Sequence, residues 1–269
     1  MTDAGDGSGH HEEADMYPDL PLIETNGSSP SWWSRLTGGF FGEAASARPL
    51  WYPPADRKFA MRTKGVYPNN YPVGAVVHST EGRSKNGDRD AENTIEGTGI
   101  PHGHCYFCIS STGKVYQSFP LDRWGVHCGQ TYQSALGYNL DNQLVGIEVC
   151  AAGIVKKVGD TYKPDWNEIF TESETRYSAK VENIQQAGFY HRFNDVQEKA
   201  LFDLLLWLHS NNPAVFKLEH VFGHDEIATI APKGSHGDRT LGRKQDPGAS
   251  LSVYMKDFRQ KLLTAASTS

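Results

Sequence analysis

Phe222-Gly223-His224-Asp225 and Arg243-Lys244-Gln245-Asp246-Pro247-Gly248 are the two halves of the stretch around which this chain is organised. Leu218–Phe222, ahead of the first half, reads as a short strand that delivers His224 at its end. The Asp-Pro-Gly run of the second half is a tight turn that fixes the backbone under Asp246. Two earlier segments supply what this pair lacks: Val76-Val77-His78-Ser79-Thr80 and Val145-Gly146-Ile147-Glu148-Val149. Each places a polar residue at or near the end of an apolar run. The run Val73–His78 is short, apolar and fit for a central strand buried on both faces.

Working outward, Leu144–Cys150 is a second apolar, β-branched strand candidate. Cys105–Ser110 and Lys114–Ser118 flank Ser111-Thr112-Gly113 as the arms of a hairpin. Residues 80–103 read as a charged, glycine-rich loop with a short helix near Asp90–Ile95, and residues 156–192 as a surface excursion with turns at Gly159-Asp160 and Lys163-Pro164. A helix follows with Asn194 as its cap and Gln197 three residues on. Its stripe is Val196, Ala200, Leu201, Leu204, Leu205 and Leu208, and Pro213 lies beyond its end. A last helix is expected from about Ser250, with Leu251, Tyr254, Met255, Phe258 and Leu262 at helical spacing. Strands and helices mixed in this way predict one α/β domain, a central sheet with helices packed on it, over residues 49–269.

Residues 1–48 differ in kind. They are acidic, rich in Gly, Ser and Pro, and read as a flexible N-terminal arm, with an aromatic segment at Trp32-Trp33 and Phe40-Phe41. That segment either packs on the main domain or docks a delivery partner. The first basic residue is Arg35, after Asp3, Asp6, Glu12, Glu13, Asp15, Asp19 and Glu24, the reverse of a secretory signal. No apolar run is long enough to span a membrane. The net charge of -6 argues against a broad electrostatic grip on nucleic acid. Four cysteines in 269 residues make no disulfide scaffold. Cys105-x-x-Cys108 lies in a strand pattern, where residues three apart point to opposite faces, so buried structural thiols are expected there.

Two imidazoles and one carboxylate, His78, His224 and Asp246, form a ligand set that leaves a fourth zinc position open, the catalytic arrangement. Glu148, between apolar Ile147 and Val149, is expected to project into a cleft as a proton carrier whose pKa is raised by partial desolvation. Lys244 stands two residues before Asp246, on the same face of an extended segment, where its ammonium can stabilise an oxyanion.

These segments resemble, in order, the type 2 N-acetylmuramoyl-L-alanine amidases, a family that includes cytoplasmic anhydro-muropeptide amidases, phage lysozyme of the T7 type and peptidoglycan recognition proteins. The resemblance rests on Val77-His78-Ser79-Thr80, the hairpin from His104-Cys105-Tyr106-Phe107 to Gly113-Lys-Val-Tyr-Gln117, Trp124-Gly-Val-His127-Cys-Gly129, Val145-Gly-Ile-Glu148, Gly223-His224-Asp225-Glu-Ile-Ala228 and Arg243-Lys244-Gln-Asp246-Pro-Gly248. It covers about residue 70 to the C-terminus. It implies a mixed β-sheet flanked by helices and a Zn2+ ion held by His78, His224 and Asp246. Glu148 then matches the catalytic acid/base and Lys244 the oxyanion-side lysine, with His127 and Tyr106 as substrate contacts. The implied reaction is hydrolysis of the bond between N-acetylmuramic acid and L-alanine in peptidoglycan or muropeptides. A non-catalytic peptidoglycan-binding module of the same fold, and a zinc peptidase acting on another amide, are the alternatives. The segment between His224 and Asp246 is long and holds His236 and Asp238, read as loop filler. Without a leader, the protein is expected to be made in the cytoplasm and to reach the cell wall through phage lysis or an injection system, or else to stay cytoplasmic.

Overall fold

The apolar run of Gly74–Ser79 forms the central strand β1, and all six of its residues are buried. The computed structural model describes residues 48–104, 106–230 and 239–268. The arm expected over 1–48 lies outside these residues except for Arg48, as do Cys105, His236 and Asp238. The remaining strands of the main sheet are β2 (Phe107–Ile109), β3 (Val115–Gln117), β4 (Leu144–Val149) and, later in the chain, Val221–Gly223. Between β4 and that last strand comes a second sheet of β5 (Ile154–Val158), β6 (Thr161–Lys163), β7 (Thr175–Ser178) and β8 (Gly188–His191). Val221–Gly223 is therefore β9.

The main sheet runs β9-β1-β4-β2-β3. Its first four strands are parallel, and β3 returns antiparallel through the expected hairpin. The sheet is thus mixed, as the resemblance implied. Because neighbouring side chains on a strand alternate between faces, Ala75, Val77, Val145 and Ile147 go to one face. There they meet Leu201, Leu204, Leu205 and Leu208 of α2 (Asp195–Asn211) and Met255, Phe258 and Leu262 of α4 (Met255–Ser267). Val76, Leu144 and Phe222 go to the other face, with Cys128, Leu140 and Ile227. The shorter helices among the described residues include α1 (Asp88–Thr94), which runs on through the π-helix Ile95–Gly99 into one more turn at Ile100–His102, and α3 (His224–Ile227). No helix among the described residues is long and apolar enough to cross a membrane.

Helix α2 starts where the capping box places it. Asn194 accepts from the Gln197 backbone N–H at 3.0 Å, and the Gln197 side chain accepts from the Asn194 N–H at 3.1 Å. Three details differ from expectation. Val196 is 51% exposed on the first turn of α2, where Gln197 is buried instead. Leu251 enters the core, but Gly248–Ser250 forms a separate 3-10 turn, so α4 begins only at Met255. The excursion over 156–192 is the four-stranded antiparallel sheet β6-β5-β8-β7, with its own core of Val155, Tyr162 and Phe170.

Candidate metal and catalytic site

The register of the sheet builds the first half of the site. His78 of β1 and Glu148 of β4 are direct partners across parallel strands. Both lie on the face opposite α2 and α4, about 4.8 Å apart along the hydrogen-bonding direction. Strand β9 lies on the other side of β1 and hands its chain into α3, which starts at His224. Asp246 arrives from the C-terminal segment. Its carbonyl accepts the Asp225 N–H at 2.8 Å, and the Asp225 carboxylate in turn accepts from the Gly248 N–H at 3.2 Å and the Asn183 amide at 2.8 Å. Gly223 allows that clamp, because a Cβ there would lie 2.3 Å from Asp225 Oδ1.

The three sequence-predicted ligands converge. Asp246 Oδ2 lies 3.1 Å from His78 Nδ1 and 3.3 Å from His224 Nδ1, and the two imidazole centroids are 4.4 Å apart. One donor atom from each residue falls within 4.8 Å of the others, and all three residues are buried. Burial pushes the Asp246 carboxyl up, but the two histidines facing it prevail and hold it well below the usual carboxylate range.

The opposite ring nitrogens show why this arrangement suits a cation. His127, also buried, bonds the Leu144 carbonyl through Nε2 at 2.9 Å, so its Nε2 carries the proton. Burial lowers its pKa to about 4, which keeps it neutral and leaves Nδ1 as an acceptor. His78 Nε2, 3.2 Å away, must therefore be the donor, and Nδ1 is the nitrogen turned toward Asp246. His224 repeats the logic, with Nε2 donating to the Cys128 carbonyl at 3.0 Å. Both histidines thus turn Nδ1 inward, where a cation could replace the proton shared with Asp246, while their outer N–H groups are held from behind, as in metal-ligating histidines. The donor set fits zinc. His127, Cys128 and Asp141 make a second cluster of metal-ligating residue types. That cluster is a backbone clamp, because Asp141 Oδ1 accepts from the N–H groups of His127 and Cys128 at 2.7 and 2.9 Å.

Glu148 completes the chemistry. Its Oε2 is sealed from solvent and has no hydrogen-bond partner. Burial, with Asp246 and Glu81 adding to it against His78 and Lys244, raises its pKa to about 7. Lys244 is half-buried and close enough for its charge to act on both Glu148 and Glu81.

The sequence profile described as N-acetylmuramoyl-L-alanine amidase matches residues 68–249, a span that contains His78, Glu148, His224, Lys244 and Asp246. The chain belongs to this family. Solved structures similar to this amidase-family chain include a selenomethionine derivative of AmpD, 18% identical with a TM-score of 0.48, the match covering 80% of this chain and 97% of that one. AmpDh3 of Pseudomonas aeruginosa in complex with anhydromuramic pentapeptide is 16% identical with a TM-score of 0.45, covering 77% and 64%. AmiD of E. coli, bound to anhydro-N-acetylmuramic acid-L-Ala-D-γ-Glu-L-Lys, is 17% identical with a TM-score of 0.41, covering 70% and 56%. No curated protein matches the chain.

Two residues expected at the substrate are buried in this amidase-family fold. Tyr106 is 2% exposed, its ring is in the main core and its hydroxyl donates to the Pro120 carbonyl at 2.5 Å. His127 lies behind His78 and is reached through the protein interior. Gly146 admits it, since a Cβ there would meet the imidazole at 2.8 Å. Sequence reasoning missed Glu81, placed by a left-handed backbone (φ 45°) just past β1. Burial and the Asp246 charge raise its carboxyl to about 7, against the pull of Lys244. It missed Arg243 as well, whose guanidinium donates to the carbonyls of Cys128 at 2.6 Å and Gln130 at 2.9 Å. The signal for Glu81 was present in Thr80-Glu81-Gly82, a carboxylate three residues after His78.

Proposed function

We propose that the chain is a zinc-dependent N-acetylmuramoyl-L-alanine amidase that hydrolyses the bond between the lactyl group of N-acetylmuramic acid and L-alanine in peptidoglycan. The reading is carried by one observation. A sealed, unpartnered Glu148 oxygen stands in register beside His78, whose Nδ1 shares Asp246 with His224.

A zinc ion held by His78 Nδ1, His224 Nδ1 and Asp246 would lower the pKa of a bound water to about 7 and polarise the amide carbonyl. Glu148, with its pKa near 7, is matched to take a proton from the attacking water through its carboxylate and return it to the leaving amine of L-alanine. Lys244 supplies a positive charge for the tetrahedral oxyanion. His127 and the Cys128 carbonyl keep both ligand imidazoles in the Nε2–H form, and the burial of all three ligands excludes bulk water.

The test is digestion of purified sacculi with mass spectrometry of the released ends. New L-alanine amino termini with intact glycan strands are expected. Cleavage inside the peptide would identify a peptidase instead, and tight binding without new termini a binding module. Glu148→Gln should lower turnover by about two to four decades while zinc stays stoichiometric.

A further inference from the structure

The second sheet builds a pocket that the amidase reading does not use. A cavity of about 450 Å3 is lined by Ser84 and Lys85, by Ser111 after β2, by Glu174, by His191 and Arg192 at the end of β8, and by Asn194 and Asp195 at the start of α2. His191 is only 9% exposed. Its Nδ1 accepts from the Ala152 N–H at 3.1 Å and faces Ser84 Oγ at 3.3 Å, so its Nε2 carries the proton. Among the described residues that Nε2–H has no partner and, in a ring lining the cavity, is left for whatever enters it. Its neighbour Arg192 uses Nη1 on the Ser173 carbonyl at 3.1 Å and holds Nε buried without a partner. Lys85 adds a second cation, stacked 4.8 Å over Phe170 and 3.1 Å from Glu174. At the start of the 17-residue helix α2 the Gln197 N–H is capped by Asn194, which leaves the Asp195 and Val196 N–H groups without an intrahelical acceptor.

Glu174 does not occupy these donors. Its carboxylate already accepts from the Thr171 N–H at 2.8 Å and the Thr171 hydroxyl at 2.9 Å, besides pairing with Lys85. Asp195 is exposed on the first turn of α2. What remains is a polar concavity with a fixed neutral donor, a guanidinium and a helix start, the partners of a carboxylate.

Its position relates it to the reaction. His224, His78, Glu148 and Ser111 all lie at the carboxyl ends of the parallel strands, in the order β9-β1-β4-β2. With strands about 4.8 Å apart, β2 is roughly 10 Å from β1. Along the sheet, a scissile bond placed between His78 and Glu148 is then roughly 7 Å from β2, the span of the first residues of an extended peptide. The two regions also touch: the His191 N–H donates to the Gly153 carbonyl at 2.8 Å, and Gly153 packs against Glu81.

We infer that the pocket around His191 and Arg192 binds the free carboxylate of the second stem-peptide residue, the one that a γ-linked glutamate leaves exposed. This rests on the amidase reading above. The experiment uses the full-length zinc-loaded chain and two synthetic substrates, N-acetylmuramoyl-L-Ala-D-γ-Glu-L-Lys with the glutamate α-carboxylate either free or converted to the carboxamide. The expected result is a kcat/KM about 10- to 100-fold higher for the free carboxylate, the size of a hydrogen bond to a charged group. Arg192→Gln and His191→Phe should each lower it by about tenfold or more on the carboxylate and leave the carboxamide unchanged. Equal rates on both substrates, or equal losses on both in the variants, would overturn the assignment while the amidase reading stands. If neither substrate nor sacculi are cleaved, the amidase reading fails. Calorimetry with free L-Ala-D-γ-Glu-L-Lys then decides: binding weakened by Arg192→Gln supports the pocket, and no binding overturns it.

Discussion

Replacing His127 by phenylalanine removes a group that lies behind His78, and it should weaken binding of the proposed zinc ion. The ring would still fill the space opened by Gly146, and the Leu144 carbonyl would keep the Tyr67 hydroxyl as a donor at 3.1 Å. What disappears is the acceptor that holds the His78 Nε2 proton, 3.2 Å from His127 Nδ1. In the metal-free variant that proton moves to Nδ1, where Asp246 Oδ2 waits at 3.1 Å. Binding zinc must then displace that proton from its hydrogen bond to the carboxylate, with no acceptor left behind Nε2 to receive it. Such a bond contributes about 1.5–3 kcal/mol. At 1.36 kcal/mol per decade this is a loss of roughly 10- to 150-fold in affinity, in line with about 10- to 100-fold for partners behind a ligand. Competition with a chromogenic chelator measures the dissociation constant, and 15N shifts of His78 report its tautomer. A zinc affinity within about twofold of the parent, with His78 still protonated on Nε2, would refute the reasoning, the twofold margin being small against that range.

Three further outcomes follow from the same geometry. Gly146→Ala drives a methyl into the His127 imidazole, which is pinned at both nitrogens. Thermal denaturation should show a loss of about 1–3 kcal/mol, accompanied by weaker zinc binding. Glu148 holds its proton up to about pH 7 in the folded metal-free protein but only to the ordinary carboxylate range when unfolded, so it costs stability as pH rises from about 4.5 to about 7. Glu148→Gln should therefore stabilise the metal-free protein at pH 8, with the gain vanishing near pH 4.5 in pH-dependent denaturant melts. Removal of residues 1–48 should leave sacculus hydrolysis in solution unchanged while reducing lysis in cells, which an assay of both activities side by side would show.

Much of this site could be read from the chain because its chemistry is local to strand ends. An apolar run leaves few reasons for a histidine at position 78 or a carboxylate at position 148, and parallel pairing places the two side by side. Asp246 was legible through its Pro-Gly turn. The residues that orient these groups were not, because their contacts are made by folding. Asp141 acts on the backbone of His127 and Cys128, and Arg243 reaches back to Cys128, at separations that no periodicity records. Tyr106 was misplaced for a related reason. Its motif identifies the strand, but only the packing shows that its hydroxyl ends on Pro120 inside the core. The sheet over 154–191 was hidden by strands such as Ile154–Val158, where Lys156 and Lys157 interrupt the alternation because only Val155 is buried.

The two imidazoles that face Asp246 come from β1 and from the start of α3, just past the adjacent strand β9, and consecutive residues, His127 and Cys128, brace them both from the rear. Their aim is therefore not set independently. A displacement of this single dipeptide, tethered by Asp141 and Arg243, would swing both nitrogens together and detune the whole coordination geometry at once. Anyone wishing to retune this centre for a different ion has a lever there, one that leaves every atom of the inner sphere chemically unchanged.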